Sequence, residues 1–367
     1  MNQIIEHQLA GFFAEVNSIC GSEDTLHALF SHHLIMSGVD HRTVCREYRL
    51  DKLPVDIVIF DNPPDHGGMP KVAIEFKGGA YGTRNALFDT IDTMGHCRDL
   101  DKLQPFADAG MACWFICVDM TELGIALNDA ARRKVAEQCR KRGICFAYFC
   151  QGEAQYLLET GTGLLEHQRA VSDEMRTPTT RPLPSGQDMP WVKRLGSLCA
   201  GLDASEDTYI ALAYHALRES NYNVEQLSLE TYFNCAGGGS RMQLRPDMAI
   251  FDSGVRGRFN LYRNGDPRTP NDAHKLAHLR AIVEVKGSAA TAKLSDKRLA
   301  VQVQADISKL AEWRKRLCAA HPTSRACDAA YIMLVIDKAK RGASGTYGAT
   351  LRKSAGDAGV ELIYLGS

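Results

Sequence analysis

Residues 72–77 read Val-Ala-Ile-Glu-Phe-Lys, and residues 281–286 read Ala-Ile-Val-Glu-Val-Lys. Each is a short, mostly apolar run that ends in Glu-x-Lys. Successive side chains of a β-strand point to opposite faces, so residues two apart project from the same face. Both stretches therefore predict a buried strand that presents one carboxylate and one ammonium group side by side.

The pattern around these strands occurs twice along the chain. The two copies are offset by 183 residues at the first element, 191 at the aspartate, 209 at Glu-x-Lys and 207 at the last element. This drift is typical of a duplicated domain with loop insertions. The elements are Ser22-Glu23-Asp24-Thr25, Pro54-Val55-Asp56, Ile74-Glu75-Phe76-Lys77 and Asp99-Leu100-Asp101-Lys102-Leu103, and then Ser205-Glu206-Asp207-Thr208, Arg245-Pro246-Asp247, Val283-Glu284-Val285-Lys286 and Asp306-Ile307-Ser308-Lys309-Leu310.

Two domains of ordinary size fit into 367 residues. We predict a first domain over residues 1–165, a linker over 166–190 and a second domain over 191–367, because residues 176–189 are rich in Pro, Thr and Gly. Helical and strand-like periodicity alternate in the same order in both halves, as α-β-β-β-α-β-α-β. The strands are almost continuously apolar, which predicts a mixed α/β fold with helices on both faces of each sheet.

Composition favours a soluble globular protein, with 45% hydrophobic and 24% charged residues. No apolar run approaches the ~20 residues needed to cross a bilayer, and the N-terminus does not resemble a secretory signal, so we expect a cytoplasmic protein. The 12 cysteines lie in apolar segments and contain no Cys-x-x-Cys pair. Reduced, buried thiols are the main interpretation; a cluster bound by Cys139, Cys145 and Cys150 is the alternative.

An aspartate stands at the start of the neighbouring apolar strand in both copies, which an ion pair between the Glu and Lys of Glu-x-Lys would not explain. Asp56 should lie near Glu75, and Asp247 near Glu284. Two carboxylates that converge in an apolar setting repel each other unless a cation lies between them. Mg²⁺ prefers carboxylate oxygens and keeps positions for water and phosphate, so we predict a Mg²⁺ site in each domain, with Mn²⁺ as a substitute.

The remaining groups of each site have predicted roles of their own. Lys77 and Lys286 would orient or deprotonate an attacking water, or offset charge that develops on phosphoryl oxygens. Glu23 and Glu206 lie in the first turn of a predicted helix, where a carboxylate either binds metal or stabilises the helix end. Both interpretations of these two glutamates stay open.

Charge is distributed unevenly between the halves. Residues 1–165 have a net charge of −7 and residues 166–367 a net charge of +6. The second half also contains an insert, residues 253–280, with a net charge of +4 and interleaved aromatic residues, a combination that suits nucleic-acid contact. A solvated surface excursion is the alternative. The candidate nucleic-acid-binding residues are Arg256, Arg258, Arg263, Arg268, Lys275 and Arg280.

These motifs resemble those of the PD-(D/E)XK nuclease superfamily, which has the restriction-endonuclease-like fold. Residues 245–247 with 284–286 match its core motif in full, whereas residues 54–56 place a valine between the proline and the aspartate. The resemblance covers both halves and implies two tandem domains with an α-β-β-β-α-β core. It implies a Mg²⁺-dependent phosphodiesterase acting on DNA, with Asp56, Glu75, Lys77, Asp247, Glu284 and Lys286 as catalytic residues and Glu23 and Glu206 as helix carboxylates.

The leading hypothesis is an endonuclease with two active sites in one chain, able to break both strands in restriction, anti-phage defence or as a DNase effector. A second hypothesis keeps one catalytic domain and gives the other a regulatory, partner-binding or nucleic-acid-binding role. A third is a binding module without chemistry, against which the intact Glu and Lys of both halves argue. RNA stays open as a substrate, because the site acts on phosphate. The sequence indicates no membrane association and names no protein partner.

Overall fold

A computed structural model describes residues 2–16, 22–49, 54–79, 98–120, 130–153, 155–160, 163–168, 186, 188–235, 242–255, 272–288, 296–337 and 346–366. The chain divides into two compact units. The first comprises Met1–Ser18 and Leu29–Glu174, and the second comprises Ile19–Ala28 and Met175–Ser367. The later boundary falls inside the predicted linker. No helix within the described ranges is long and apolar enough to span a bilayer.

The described part of the first unit is built on a seven-stranded sheet in the order β1-β2-β3-β4-β5-β6-β7. Strands β3, β4 and β5 are parallel, and the other neighbouring pairs are antiparallel. The elements are α1 (Asn2–Val16), α2 (Glu23–Met36), β1 (Val44–Arg49), β2 (Pro54–Phe60), β3 (Pro70–Gly79), α3 (Arg98–Asp108), β4 (Ala112–Asp119), α4 (Ala130–Lys141), β5 (Cys145–Cys150), β6 (Gln155–Thr160) and β7 (Gly163–Gln168). The first residues of α2, up to Ala28, belong to the second unit.

In the residues described for the second unit, a five-stranded sheet has the order β14-β13-β12-β11-β8, and β9 and β10 form a separate ribbon. Strand β12 is antiparallel to β11 and parallel to β13. The elements are α5 (Pro190–Cys199), α6 (Glu206–Glu219), β8 (Leu227–Leu229), β9 (Phe233–Cys235), β10 (Met242–Leu244), β11 (Met248–Phe251), α7 (Asp272–His278), β12 (Leu279–Ser288), α8 (Asp296–Ala320), β13 (Ala330–Asp337), α9 (Thr346–Asp357) and β14 (Glu361–Gly366).

The predicted fold class is confirmed: two mixed sheets are flanked by helices. The order α-β-β-β-α-β-α-β recurs in the second unit once the ribbon of β9 and β10 and helix α7, which interrupt it, are left aside. Strands β1 to β5 correspond to β8, β11, β12, β13 and β14. The hairpin of β6 and β7 was not predicted, and β7 continues to Gln168, beyond the predicted domain end at residue 165. These strands extend the first sheet at the edge that β5 would otherwise form.

Amphipathic helices cover both faces of the first sheet with their apolar sides. On one face, Leu103 of α3 and Val135 of α4 belong to the same buried cluster as Phe115 of β4. On the other face, the rings of Phe12 and Phe76 lie 5.9 Å apart in an edge-on contact. Strands that are apolar on both faces require this double cover, because either face would otherwise expose a continuous apolar surface.

Trp114 offers a test of the core of the first unit. This β4 side chain is fully buried, and its indole N–H donates to Asn2 Oδ1 at 3.1 Å. We expect Trp114→Ala to lower the free energy of unfolding by about 3–5 kcal/mol, because it leaves a large cavity and unpairs the amide. Calorimetry measures the change. An unaltered transition would contradict this packing.

Candidate active sites

The strand register brings an aspartate and a glutamate face to face in each unit. Ile57 pairs with Ile74 between β2 and β3, which places Asp56 opposite Glu75. Met248 pairs with Val283 between β11 and β12, which places Asp247 opposite Glu284 by the same rule. Residues directly opposite in an antiparallel pair have Cβ atoms about 4.5–5.5 Å apart, so each pair of carboxylates converges.

One backbone hydrogen bond fixes the aspartate identically in both units. The N–H of Phe76 donates to Asp56 Oδ2 at 2.7 Å, and the N–H of Val285 donates to Asp247 Oδ2 at 2.7 Å. The donor is in each case the residue between the Glu and the Lys. Each aspartate is thus held against the Glu-x-Lys strand.

Burial and mutual repulsion make these carboxylates costly to ionise in the absence of a cation. Glu75 is 1% exposed and Glu284 is 3% exposed. Burial, followed by repulsion from Asp247, raises the pKa of Glu284 to about 8. Burial and repulsion from Asp56 likewise raise the pKa of Glu75 well above its usual range. Burial is also the main cause that raises the pKa values of Asp56 and Asp247 to about 6.

The donor set fits a hard divalent cation. Glu284 Oε1 is buried and accepts no hydrogen bond from the described residues, although a buried carboxylate oxygen normally has a partner. Mg²⁺ takes carboxylate oxygens, and its charge would offset the repulsion between Glu284 and Asp247. The residues that would hold it are therefore Asp56 with Glu75, and Asp247 with Glu284.

The two strand lysines reach carboxylates on the same side of the sheet as their glutamates. Lys77 Nζ lies 3.8 Å from Asp99 Oδ2, and Lys286 Nζ lies 3.1 Å from Glu206 Oε2. Burial alone would lower the pKa of Lys286, but Glu206 and Asp306 outweigh it and raise the pKa. Lys286 is therefore an ammonium ion at neutral pH.

Glu206 joins the second site through a close approach of α6 to β12. Its carboxylate contacts Lys286 and also accepts the N–H of Gly287 at 3.3 Å. A Cβ on Gly287 would lie 2.6 Å from the ring of Tyr209, so only glycine permits α6 to come this close. Ser205 caps α6, accepting the N–H of Thr208 at 3.2 Å.

The first Ser-Glu-Asp-Thr element is used differently. Ser22 Oγ donates to the carbonyl oxygen of Leu229 at 2.8 Å, and the N–H of Leu229 donates to Thr25 Oγ1 at 2.9 Å. Both residues, and Glu23 between them, belong to the second compact unit. The predicted role of Glu23 as a metal ligand beside Asp56 stays a prediction.

Most of the predicted nucleic-acid-binding insert lies outside the described residues, including Arg256, Arg258, Arg263 and Arg268. Lys275 is 4% exposed, donates to the carbonyl oxygen of Tyr232 and lies 5.2 Å from the ring centre of Phe233. This burial argues against Lys275 as a phosphate contact and gives it a structural role. Arg280, at the start of β12, is half-buried.

Sequence reasoning missed an acidic residue at the edge strand of each unit, Glu47 within β1 and Glu230 directly after β8. Glu47 and Glu230 have left-handed backbones, with φ of 50° in both. The pairing of Arg46 with Ile57 places Glu47 opposite Asp56, and a Glu47 oxygen lies within 4.8 Å of an Asp56 oxygen. The signal was available, because Glu47 and Glu230 share the offset of 183 residues seen at Ser-Glu-Asp-Thr.

The corresponding glutamate of the second unit has a different environment. The N–H of Glu230 donates to the carbonyl oxygen of Asp247 at 3.2 Å, and its carboxylate forms an ion pair with Arg245. Residue 54 of the first unit, a proline, aligns with Arg245 and brings no such charge. In the second unit Arg245 therefore offsets the charge of Glu230, whereas the aligned residue of the first unit, Pro54, supplies no cation to Glu47.

Cys145 forms no disulfide bond. Cys139 and Cys150 belong to the apolar cluster of the first unit, and burial raises the pKa of the Cys145 thiol to about 11. A raised pKa disfavours the thiolate that a metal cluster requires. These positions favour the interpretation of buried, reduced cysteines.

The chain matches no protein-family model and no curated protein. In both units, Asp, Glu and Lys of one repeated motif meet on adjacent strands, with the same oxygen of the aspartate bound by the same backbone position.

Proposed function

We propose that this protein is a magnesium-dependent nuclease that hydrolyses phosphodiester bonds of DNA, with one active site in each unit. The observation that best supports this is the repetition of one atomic arrangement, in which Asp56 and Asp247 each face a buried glutamate and accept the N–H that follows it. A structural ion pair alone would not require a second buried carboxylate at this position.

The residues of each site would have distinct roles in hydrolysis. Asp56 with Glu75, and Asp247 with Glu284, would hold the cation. A bound divalent cation supplies charge stabilisation at the phosphoryl oxygens and lowers the pKa of a water molecule. The raised pKa of Lys286 keeps it protonated, so its role is to orient the attacking water by hydrogen bonding and to stabilise negative charge. It is a poor general base in this environment.

Two sites in one chain would allow a double-strand break without a second subunit. DNA is preferred over RNA because of the resemblance to the PD-(D/E)XK superfamily, and the net charge of +6 over residues 166–367 suits a polyanion. Restriction, anti-phage defence and a DNase effector are the settings that a two-site nuclease fits.

A nuclease with a single catalytic unit is the second candidate. In its favour, the second unit brings Glu206 to Lys286 and Gly287, so that the helix carboxylate and the strand lysine meet within one unit. Under this hypothesis the acidic first unit binds a partner or regulates cleavage.

Cleavage of a supercoiled plasmid in Mg²⁺ tests both candidates. The proteins to compare are wild type, Lys77→Ala, Lys286→Ala and the double variant. We expect wild type to yield linear DNA directly, each single variant to stop at the nicked circle, and the double variant to lose about 10²–10³-fold in rate because both ammonium groups are gone.

The other outcomes separate the candidates. If one single variant behaves as wild type and the other is inactive, only one unit is catalytic. If wild type cleaves neither the plasmid nor a single-stranded RNA in Mg²⁺ or Mn²⁺, the proposal of a nuclease is wrong.

A further inference from the structure

A second lysine reaches the site from the helix that follows the Glu-x-Lys strand. In the first unit, Lys102 Nζ of α3 lies 2.9 Å from Glu75 Oε2 and 3.5 Å from Asp99 Oδ1. The other oxygen of Asp99 lies 3.8 Å from Lys77 Nζ. Asp99 therefore bridges the helix lysine and the strand lysine.

The second unit repeats this network atom for atom. Lys309 Nζ of α8 lies 2.6 Å from Glu284 Oε2 and 3.7 Å from Asp306 Oδ1. Asp306 Oδ2 lies 3.7 Å from Lys286 Nζ. Each of these three oxygens has the same lysine partner as in the first unit, although α3 and α8 differ in most of their residues. The remaining glutamate oxygen differs, because Glu75 Oε1 accepts the N–H of Asp56 at 3.2 Å, whereas Glu284 Oε1 accepts no hydrogen bond from the described residues.

Helix geometry explains the spacing of the motif. Residues three apart lie on the same face of a helix, so Asp99 and Lys102 project together, as do Asp306 and Lys309. A leucine follows each lysine, and the two leucines are fully buried, which holds that helix face against its sheet. The segment shared between the two copies is thus an Asp-x-x-Lys-Leu motif directed at the site.

A lysine beside Glu284 could serve only to neutralise the buried carboxylate, but neutralisation does not explain why the lysine contacts one carboxylate oxygen and leaves the other uncovered. Lys309 takes Glu284 Oε2, while Glu284 Oε1 stays buried without a hydrogen-bond donor among the described residues. The lysine thereby fixes the carboxylate in one rotamer and leaves one oxygen for a ligand. Groups that orient a metal ligand in this way commonly change metal affinity 10–100-fold when removed.

We propose that Lys102 and Lys309 are positioning residues of the two sites, which hold one oxygen of the glutamate so that the other is directed to the metal. This inference rests on the proposed metal-dependent function. It assigns to the Asp-x-x-Lys motif a role distinct from that of the strand lysines, which act on water and phosphate.

Direct metal binding, measured apart from cleavage, tests the proposal. Isothermal titration with Mn²⁺ would use the full chain carrying Asp56→Asn, so that the second site dominates the signal. In this background we expect Lys309→Met to weaken Mn²⁺ binding about 10–100-fold, and Lys309→Arg to stay within a few fold, because arginine also donates to the carboxylate. Lys315→Met changes an exposed lysine of the same helix and serves as the control.

The outcomes separate this inference from the function on which it rests. Equal or tighter Mn²⁺ binding by Lys309→Met, with wild-type-like circular dichroism, would overturn the positioning role and leave the proposed nuclease intact. If the chain with Lys309 intact binds no Mn²⁺, both fail. Loss of folding in Lys309→Met is resolved by Lys309→Arg, which must restore both the fold and Mn²⁺ binding for the proposal to stand.

Discussion

The double variant Asp56→Asn with Asp247→Asn is expected to lose metal-dependent cleavage by at least about 10³-fold. Each aspartate supplies one of two facing carboxylates, and asparagine removes its charge while keeping an oxygen that accepts the N–H of the Glu-x-Lys strand. Loss of several kcal/mol of metal-based charge stabilisation corresponds to about three powers of ten in rate. Plasmid cleavage under single-turnover conditions measures the loss.

The same variant is expected to become more stable. Burial raises the pKa of each aspartate to about 6. At pH 8 both aspartates are therefore ionised in the folded protein, and their buried charge lowers its stability. Removing them relieves repulsion with the facing glutamates, by on the order of 1–3 kcal/mol per site when no metal is bound. Denaturant unfolding in EDTA measures this gain.

Opposite signs for activity and stability distinguish a lost metal site from a damaged fold. The matched control is Asp65→Asn with Asp328→Asn, two exposed carboxylates for which both quantities should stay near wild type. Cleavage by the site variant within tenfold of wild type would exclude these aspartates as metal ligands.

The strands, their order and the duplication were predictable because they depend on local patterns. An apolar run such as 112–118 predicts a buried strand. Once a strand is predicted, the Glu and Lys of Glu-x-Lys must project from the same face of it. Repetition of Asp56 and Asp247 at the head of a neighbouring strand added the expectation that two carboxylates converge. The antiparallel register bears out this part of the prediction.

What escaped prediction depends on contacts between elements. Lys102 and Lys309 lie more than twenty residues beyond their glutamates, and only the packing of a helix on the sheet brings them within hydrogen-bonding distance. Glu47 required knowledge of the pairing of β1 with β2. The two Ser-Glu-Asp-Thr elements look equivalent in sequence, yet Ser22 binds the backbone of Leu229 whereas Ser205 caps its own helix.

Stability of the metal-free protein is expected to fall as pH rises from about 5 to about 8, because of Glu284. Burial raises the pKa of this residue from 4.5 to about 8, so between these values the folded state holds a proton that the unfolded state has released. Raising the pH then favours the unfolded state, the reverse of the usual behaviour of a salt-bridged carboxylate. The full contribution is on the order of 2–5 kcal/mol, fully expressed above pH 8.

Replacing Glu284 by glutamine isolates this contribution. The amide keeps an oxygen that accepts from Lys309 but has no proton to lose, so denaturant unfolding in EDTA should show a flatter dependence on pH. Glu312→Gln is the control, because Glu312 pairs with Arg316 on the same helix and its pKa is lowered. Identical profiles for wild type and Glu284→Gln would show that Glu284 titrates as an ordinary carboxyl group.

Addition of Mg²⁺ links this pH dependence to the proposed function. A cation that binds only the ionised carboxylates of Asp247 and Glu284 stabilises the folded protein most at high pH, where protons no longer compete. Wild type in Mg²⁺ should therefore lose less stability between pH 5 and pH 8 than in EDTA, while Glu284→Gln should show a much smaller difference. The buried carboxylate charge that destabilises the metal-free protein would then be the charge that binds Mg²⁺.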